Sequence, residues 1–556
     1  MCKVFGFAGL VFCFYAIAFL HAAEATLNFA ARHLPPEQGN FEYTTTAESW
    51  PATKTALIIC DVWDSHHSLN AVRRETELVP RIEQLANTLR KQGVLIIHSP
   101  SDCMPQYAAH PGRQTAKNAP KAADLPADIG QWCKSIKSED PKLYPIDQAD
   151  GGEDDDKAEL AEWHKLLEGV GRNPKLPWKY QHPGITIKAD DTISDSGVEI
   201  WNLLAARGIE QVLICGVHTN MCVLGRPFGL RQLSQNGKKV VLVRDLTDTM
   251  YNPASRPFVS HYSGTSLIIS HIERYVSGTV ESTVFLNEPP IRFANDRRKL
   301  LMMIGEDEYK TWETLPEFAK TTLEPLGYQV TIIHADKKNP HDFPGLAEQL
   351  PNHDALLVSV RRRTPSRAVL AAIKTHLAEG KPILGIRTAN HAFAVRDPKK
   401  FEETAELSFW QDFDPAVLGG SYTGHHGAGS LTTVRINDEQ AKHPILRGID
   451  VAKLEGRGSL YKVAPLMKSA TPLLYGMIPG KPEEPLAWTN RVGEQNARVF
   501  YTSLGHLGDF EQPVFRQLLV GGLTWATDRP VWMGKMADYL PKEQTHPKEQ
   551  GTKTSK

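Results

Sequence analysis

Three residues far apart in the chain have types and settings that suit nucleophilic catalysis. Cys222 lies in Cys215-Gly-Val-His-Thr-Asn-Met-Cys-Val-Leu-Gly-Arg226. This pattern reads as a strand ending at Gly216, a tight turn, and a helix opening at Cys222. A thiol at a helix start meets the positive end of the dipole and free backbone N–H groups, which lower its pKa and can hold an oxyanion. A buried structural cysteine would fit the same local pattern, so the neighbours decide. Asp61 ends the apolar run Ala56-Leu-Ile-Ile-Cys60, which aims it into the crevice at the strand carboxyl ends. Lys179, in Trp178-Lys-Tyr-Gln-His182, precedes the strand-like run Ile185-Thr-Ile-Lys188. Taken singly, Asp61 could be a loop cap and Lys179 a surface charge. Together they supply a base for the thiol proton and a cation that favours the charge-separated pair.

Two further sets of residues could hold ligands. Asp64, His66, His67, His98 and Asp102 follow the first two strands, and imidazoles with carboxylates suit Zn²⁺ or Fe²⁺. Polar residues hydrogen-bonded around a pocket would produce the same composition. In the C-terminal half, Arg387 follows the Gly385-containing turn, and His391, His425 and His506 could line a sugar-sized or metal pocket with it. No cysteine follows Cys222, so thiol chemistry is confined to the N-terminal half.

The elements that must position these residues form two series. From Thr55 to Leu286, apolar runs at 56–60, 94–98, 211–216 and 239–244 alternate with helical patterns at 78–91 and 197–207. A second series runs through strands at 300–304, 329–333, 355–360, 382–386 and 498–502, with helices at 315–326, 366–379 and 512–526. The βαβ rhythm predicts an α/β chain of two doubly wound domains, each a mostly parallel sheet flanked by helices. The expected organisation is a first domain over 50–286 with a loop-rich insertion at 110–177 and a linker at 287–297. A second domain follows over 298–535, with a disordered tail at 541–556. The acidic run Asp150-Gly-Gly-Glu-Asp-Asp-Asp156 reads as a solvated loop.

At 556 residues with 63 basic and 64 acidic side chains, the chain is neither a globally basic nucleic-acid binder nor an acidic tail. Residues 1–25 carry Lys3, an apolar run of about 17 residues and small residues at Ala23 and Ala25, as a secretory signal peptide does. An uncleaved anchor is the competing reading. Cleavage makes the mature protein secreted or periplasmic, with no membrane contact, and leaves Cys60, Cys103, Cys133, Cys215 and Cys222. An odd number leaves at least one thiol unbridged within the chain.

Ile-Ile-Cys-Asp61, Lys179 and Gly216-Val-His-Thr-Asn-Met-Cys222 resemble the isochorismatase-like cysteine hydrolase family, over Thr55 to Leu286. The resemblance implies Asp61 as general base, Lys179 as its support and Cys222 as nucleophile. It also implies a cis peptide at Val217–His218, with His218 and Cys222 backbone N–H groups as the oxyanion hole. The implied reaction cleaves a C–N bond of a small amide, ureide or carbamoyl compound through a thioester and requires no cofactor. Met104 stands where the metal-binding nicotinamidases of this family carry a histidine. From Lys299 to Trp532, Gly380-Lys-Pro-Ile-Leu-Gly385, His443-Pro-Ile-Leu-Arg-Gly448 and Arg498-Val-Phe-Tyr-Thr-Ser-Leu-Gly-His506 resemble the ThuA-like, trehalose-utilisation branch of the class I glutamine-amidotransferase-like fold. Amidotransferases carry their cysteine where this chain has Arg387. A carbohydrate-related role for this half with the first domain accessory, or a non-catalytic ligand-binding scaffold, are the alternatives. The partner expected is a small-molecule substrate, not nucleic acid, and the chain could form a homo-oligomer as related hydrolases do.

Overall fold

A computed structural model describes residues 25–37, 39–427 and 431–542. The expected signal peptide, apart from Ala25, and nearly all of the expected tail lie outside the described residues. The first sheet has eight strands: β1 (Thr26–His33), β2 (Thr44–Pro51), β3 (Thr55–Cys60), β4 (Leu95–Ser99), β5 (Thr192–Ile193), β6 (Gln211–Val217), β7 (Lys239–Asp248) and β8 (Gly278–Val280). Their order is β2-β1-β8-β7-β6-β3-β4-β5. The strands from β3 to β8 pair in parallel, and β1 joins β8 and β2 antiparallel. β3 is buried along its whole length, as a strand covered on both faces must be.

The second sheet begins with β9 (Lys299–Gly305), β10 (Gln329–His334), β11 (Ala355–Val360) and β12 (Ile383–Ile386). A short pair, β13 (Gly424–His425) and β16 (Tyr461–Lys462), stands apart from β14 (Thr432–Ile436), β15 (Glu455–Gly456), β17 (Thr471–Met477), β18 (Glu484–Val492) and β19 (Ala497–Thr502). The large sheet is ordered β10-β9-β11-β12-β19-β18-β17-β14-β15, parallel as far as β19 and antiparallel beyond. Both halves are therefore α/β domains with mostly parallel sheets.

Several elements differ from the expectations. The helix α1 covers Leu69–Lys91, starting nine residues earlier than the 78–91 pattern, because Ser68 caps it and Pro80 is accommodated inside it. Residues 185–188 form no strand; the strand in that region is β5. Cys222 sits in a five-residue π-helical turn, Thr219–Val223, not at the start of a regular helix.

One apolar cluster runs from Ile58 and Ile214 through Ile268 and Ile272 to Leu300, Leu323 and Leu518, joining the two domains. The chain end also crosses over: Met536, Tyr539 and Leu540 pack against Leu69, Val72, Trp163 and Leu167 of the first domain. No described helix is long and apolar enough to cross a membrane.

Candidate active site

The register of the first sheet fixes where the chemistry lies. Cys60 at the end of β3 is paired with Gly216 of β6 and Ser99 of β4, so the residues that follow all three share one crevice. Gly216 has φ 108°, and a Cβ there would fall 2.0 Å from the Cys60 carbonyl oxygen, so only glycine permits this approach. Asp61 itself has φ 48°, a left-handed conformation that is costly for a non-glycine residue. The Val217–His218 peptide is cis, as the resemblance implies.

Asp61 is fully buried. Its Oδ1 accepts the Ser101 backbone N–H at 2.7 Å, and its Oδ2 accepts Arg226 Nε–H at 3.0 Å. The Cys222 thiol is a further donor to the carboxylate. Burial raises the Asp61 pKa, against the opposing pull of Arg226 and these hydrogen bonds. Burial also pushes the Cys222 thiol well above its ordinary value, and the Asp61 charge adds to this; Arg226 and the His218 backbone N–H oppose it. The expected lowering by a helix terminus is thus outweighed by desolvation.

The cation beside this pair is Arg226, four residues after Cys222. Lys179 is exposed, and its backbone N–H is tied to Asp64 Oδ1 at 2.9 Å. The physical reason is local: the loop bridges Trp63 through Gln181, and Asp64 gathers the N–H groups of both Lys179 and Tyr180. The insertion contributes Trp132, whose ring lies 5.2 Å from the Arg226 guanidinium carbon. Its indole occupies the space that a side chain at Gly225 would fill. The sequence reading singled out neither residue: the place of Arg226 four residues after Cys222 is the one signal that could have found it, and Trp132 left none.

The proposed metal ligands do not converge. Asp64 Oδ2 accepts Arg172 at 2.8 Å, and its Oδ1 is taken by the two backbone N–H groups. His98 spends one ring nitrogen on Gln181 (2.8 Å) and the other on Asp191 (3.1 Å). His66 accepts the Ser68 N–H and stacks on Trp178, while His67 faces Glu153 at 3.2 Å. Asp102 is exposed, 3.7 Å from Arg226. Among the described residues no group of three or more His, Cys, Asp or Glu side chains is arranged to hold a metal ion. The residues present do not fit such a group, because Asp64 and His98 have their donor atoms committed and Asp102 stands exposed beside Arg226.

In the second domain, Arg387 follows β12 with φ 40°, left-handed like Asp61 at its own strand end. Its guanidinium lies 4.1 Å from the Tyr309 ring centre and 4.7 Å from that of Tyr461, and donates to the Ser503 carbonyl at 2.8 Å. His391 packs on Tyr422 at 4.6 Å, and burial followed by the Arg362 charge lowers its pKa to about 3. His425 is exposed and bonds the Tyr422 hydroxyl at 2.8 Å; His506 lies 6.0 Å from Tyr309. The expected pocket residues are thus linked through three tyrosines.

Residues 301–526 match the family model described as ThuA, trehalose utilisation, so the chain carries a ThuA domain. No curated protein matches the chain. Among solved structures, a ThuA-like protein from Bacteroides uniformis is similar at 16% identity, TM-score 0.32, over 43% of this chain and 95% of its own. A cysteine hydrolase from Pseudomonas syringae pv. phaseolicola is similar at 16% identity, TM-score 0.26, over 43% and 94%. An isochorismatase family protein from Burkholderia thailandensis is similar at 14% identity, TM-score 0.23, over 42% and 97%.

Proposed function

We propose that this chain is an exported cysteine hydrolase that cleaves a C–N bond of a small amide, ureide or carbamoyl compound. The observation that carries the reading is the buried Asp61–Cys222 hydrogen-bonded pair with Arg226 on the same carboxylate. Asp61 takes the thiol proton as sulfur adds to the substrate carbonyl, so the thiolate forms only as it reacts. The backbone N–H groups of His218 and Cys222 hold the oxyanion in the proposed scheme. Asp61 returns the proton to the departing amine, then activates water to hydrolyse the thioester. Arg226 holds Asp61 in its ionised form and in place, the role the resemblance gave to Lys179. The reaction requires no metal.

A second reading places the activity in the ThuA domain, on a carbohydrate. The tyrosines around Arg387 favour it, since aromatic faces with polar rims suit sugar rings. An ammonia-release screen over amides, ureides and carbamoyl compounds separates the two. Cys222→Ala is expected to lose about 10⁴-fold or more in rate, with Arg387→Ala unaffected. Full release by Cys222→Ala would remove the first reading.

A further inference from the structure

A cavity of about 240 Å³ lies between the two domains, away from the Cys222 crevice and from the Arg387 box. Its wall draws on Asn252 and His261 from the first domain, Asn295 and Arg297 from the connecting segment, and Arg447 and Trp532 from the second. Most charges that face it are spent. Arg74 is bonded to Asp154 and Asp248, Arg298 to Asp296, and Arg529 to the Gln495 and Asn496 carbonyls. His261 uses both ring nitrogens, on Tyr251 and Asp248.

What remains is almost entirely donor. The side chains of Arg297 and Arg447 form no hydrogen bond or ion pair among the described residues, and the Arg447 backbone N–H donates to the Pro444 carbonyl at 3.2 Å. Asn295 is 9% exposed; its Oδ1 accepts the Val531 N–H at 2.8 Å, and its Nδ2 is buried without an acceptor. Among the described residues Asp528 is the one carboxyl at the wall in no ion pair; the charges of Arg447 and Arg297 both act on it, and they outnumber it. Two guanidinium groups at one wall, with no hydrogen-bond acceptor, suit an anion presenting several oxygens. A water molecule takes about 30 Å³ of liquid volume, so the space exceeds what a bare oxyanion fills.

We propose that this cavity binds a small organic dianion, a phosphomonoester or a short dicarboxylate, through Arg297 and Arg447. The ligand touches both domains and the segment between them, so binding it fastens the two together. The proposal is independent of the chemistry at Cys222.

Titration calorimetry and thermal unfolding of the full chain test it. The probes are methyl phosphate, inorganic phosphate and succinate, with chloride holding ionic strength constant. At least one probe is expected to saturate and to raise Tm; the tighter of methyl phosphate and succinate identifies the class. Arg447→Gln and Arg297→Gln should weaken binding by about tenfold or more. Lys442→Gln, which removes an exposed cation outside the cavity, should leave it unchanged. The Arg447 side chain has no bond to lose, so Arg447→Gln should keep the ligand-free Tm. No saturation by any probe up to about 10 mM, ten times a millimolar Kd, overturns the proposal. So does affinity indifferent to both arginine substitutions.

Discussion

A fully buried thiol resists ionisation, and the pair at Cys222 and Asp61 meets that resistance by keeping donor and acceptor in contact. The charge then never has to exist on sulfur before substrate arrives. Because Asp61 must be ionised to accept the proton, kcat/KM should fall as pH drops through its folded pKa. Burial raises that pKa, so the acid limb should lie above the ordinary aspartate value of 3.8. Arg226 opposes the rise, so Arg226→Gln should move the limb to higher pH and reduce kcat/KM at neutral pH by about tenfold or more. Lys179→Gln should move neither. A pH–rate profile of the three proteins decides this, and a limb displaced by Lys179→Gln alone would reverse the assignment. Asp61 and Cys222 were legible because strand ends announce themselves in sequence. The choice between Lys179 and Arg226 was not, because it depends on a backbone bridge from Trp63 to Gln181 that no spacing encodes.

The parallel strands of both sheets declare themselves as continuous apolar runs, since each is covered on two faces. The antiparallel additions do not. β2 is Thr44-Thr-Thr-Ala-Glu-Ser-Trp-Pro51, an exposed edge strand with little apolar content. β17 and β18 contain Pro472 and Pro485, which read as loop residues. Beside β4 and β5, His98 and Arg90 converge on Asp191, and with Gln181 this cluster takes both ring nitrogens of His98. Burial alone would raise the Asp191 pKa, but bonds from His98 and Arg90 hold it at about 2, below its ordinary 3.8. A depressed carboxylate gives stability that is complete above the unfolded value and drains away as pH falls toward the folded one. The protein should therefore lose this contribution between about pH 4 and 2. Asp191→Asn should lower Tm at pH 7 and flatten the profile in that window. Parallel Tm–pH curves for the two proteins would expose an idle cluster.

The two domains share one apolar cluster, and Arg298 ties them further, donating to the Tyr262 and Leu326 carbonyls from opposite sides of the boundary. The sequence marked two α/β units correctly but held no sign that the C-terminal segment returns to the first. Trp532 lies 5.0 Å from the Arg73 guanidinium carbon, and Tyr539 and Leu540 cover α1 and the helix Lys157–Gly169. Ending the chain after Val531 should expose Leu69, Val72 and Trp163 and cost about 3 kcal/mol or more, from roughly 1.5–3 kcal/mol per large apolar side chain. Calorimetry should show this as a lower Tm in a single transition shared by both domains. An unchanged Tm would mean the segment merely rests on the surface.

All five cysteines in the described residues are buried, and none is bridged to another. The described residues are therefore held together without a disulfide. No packing contact among them waits on a sulfur–sulfur bond, and the shelter each thiol has comes from the fold around it.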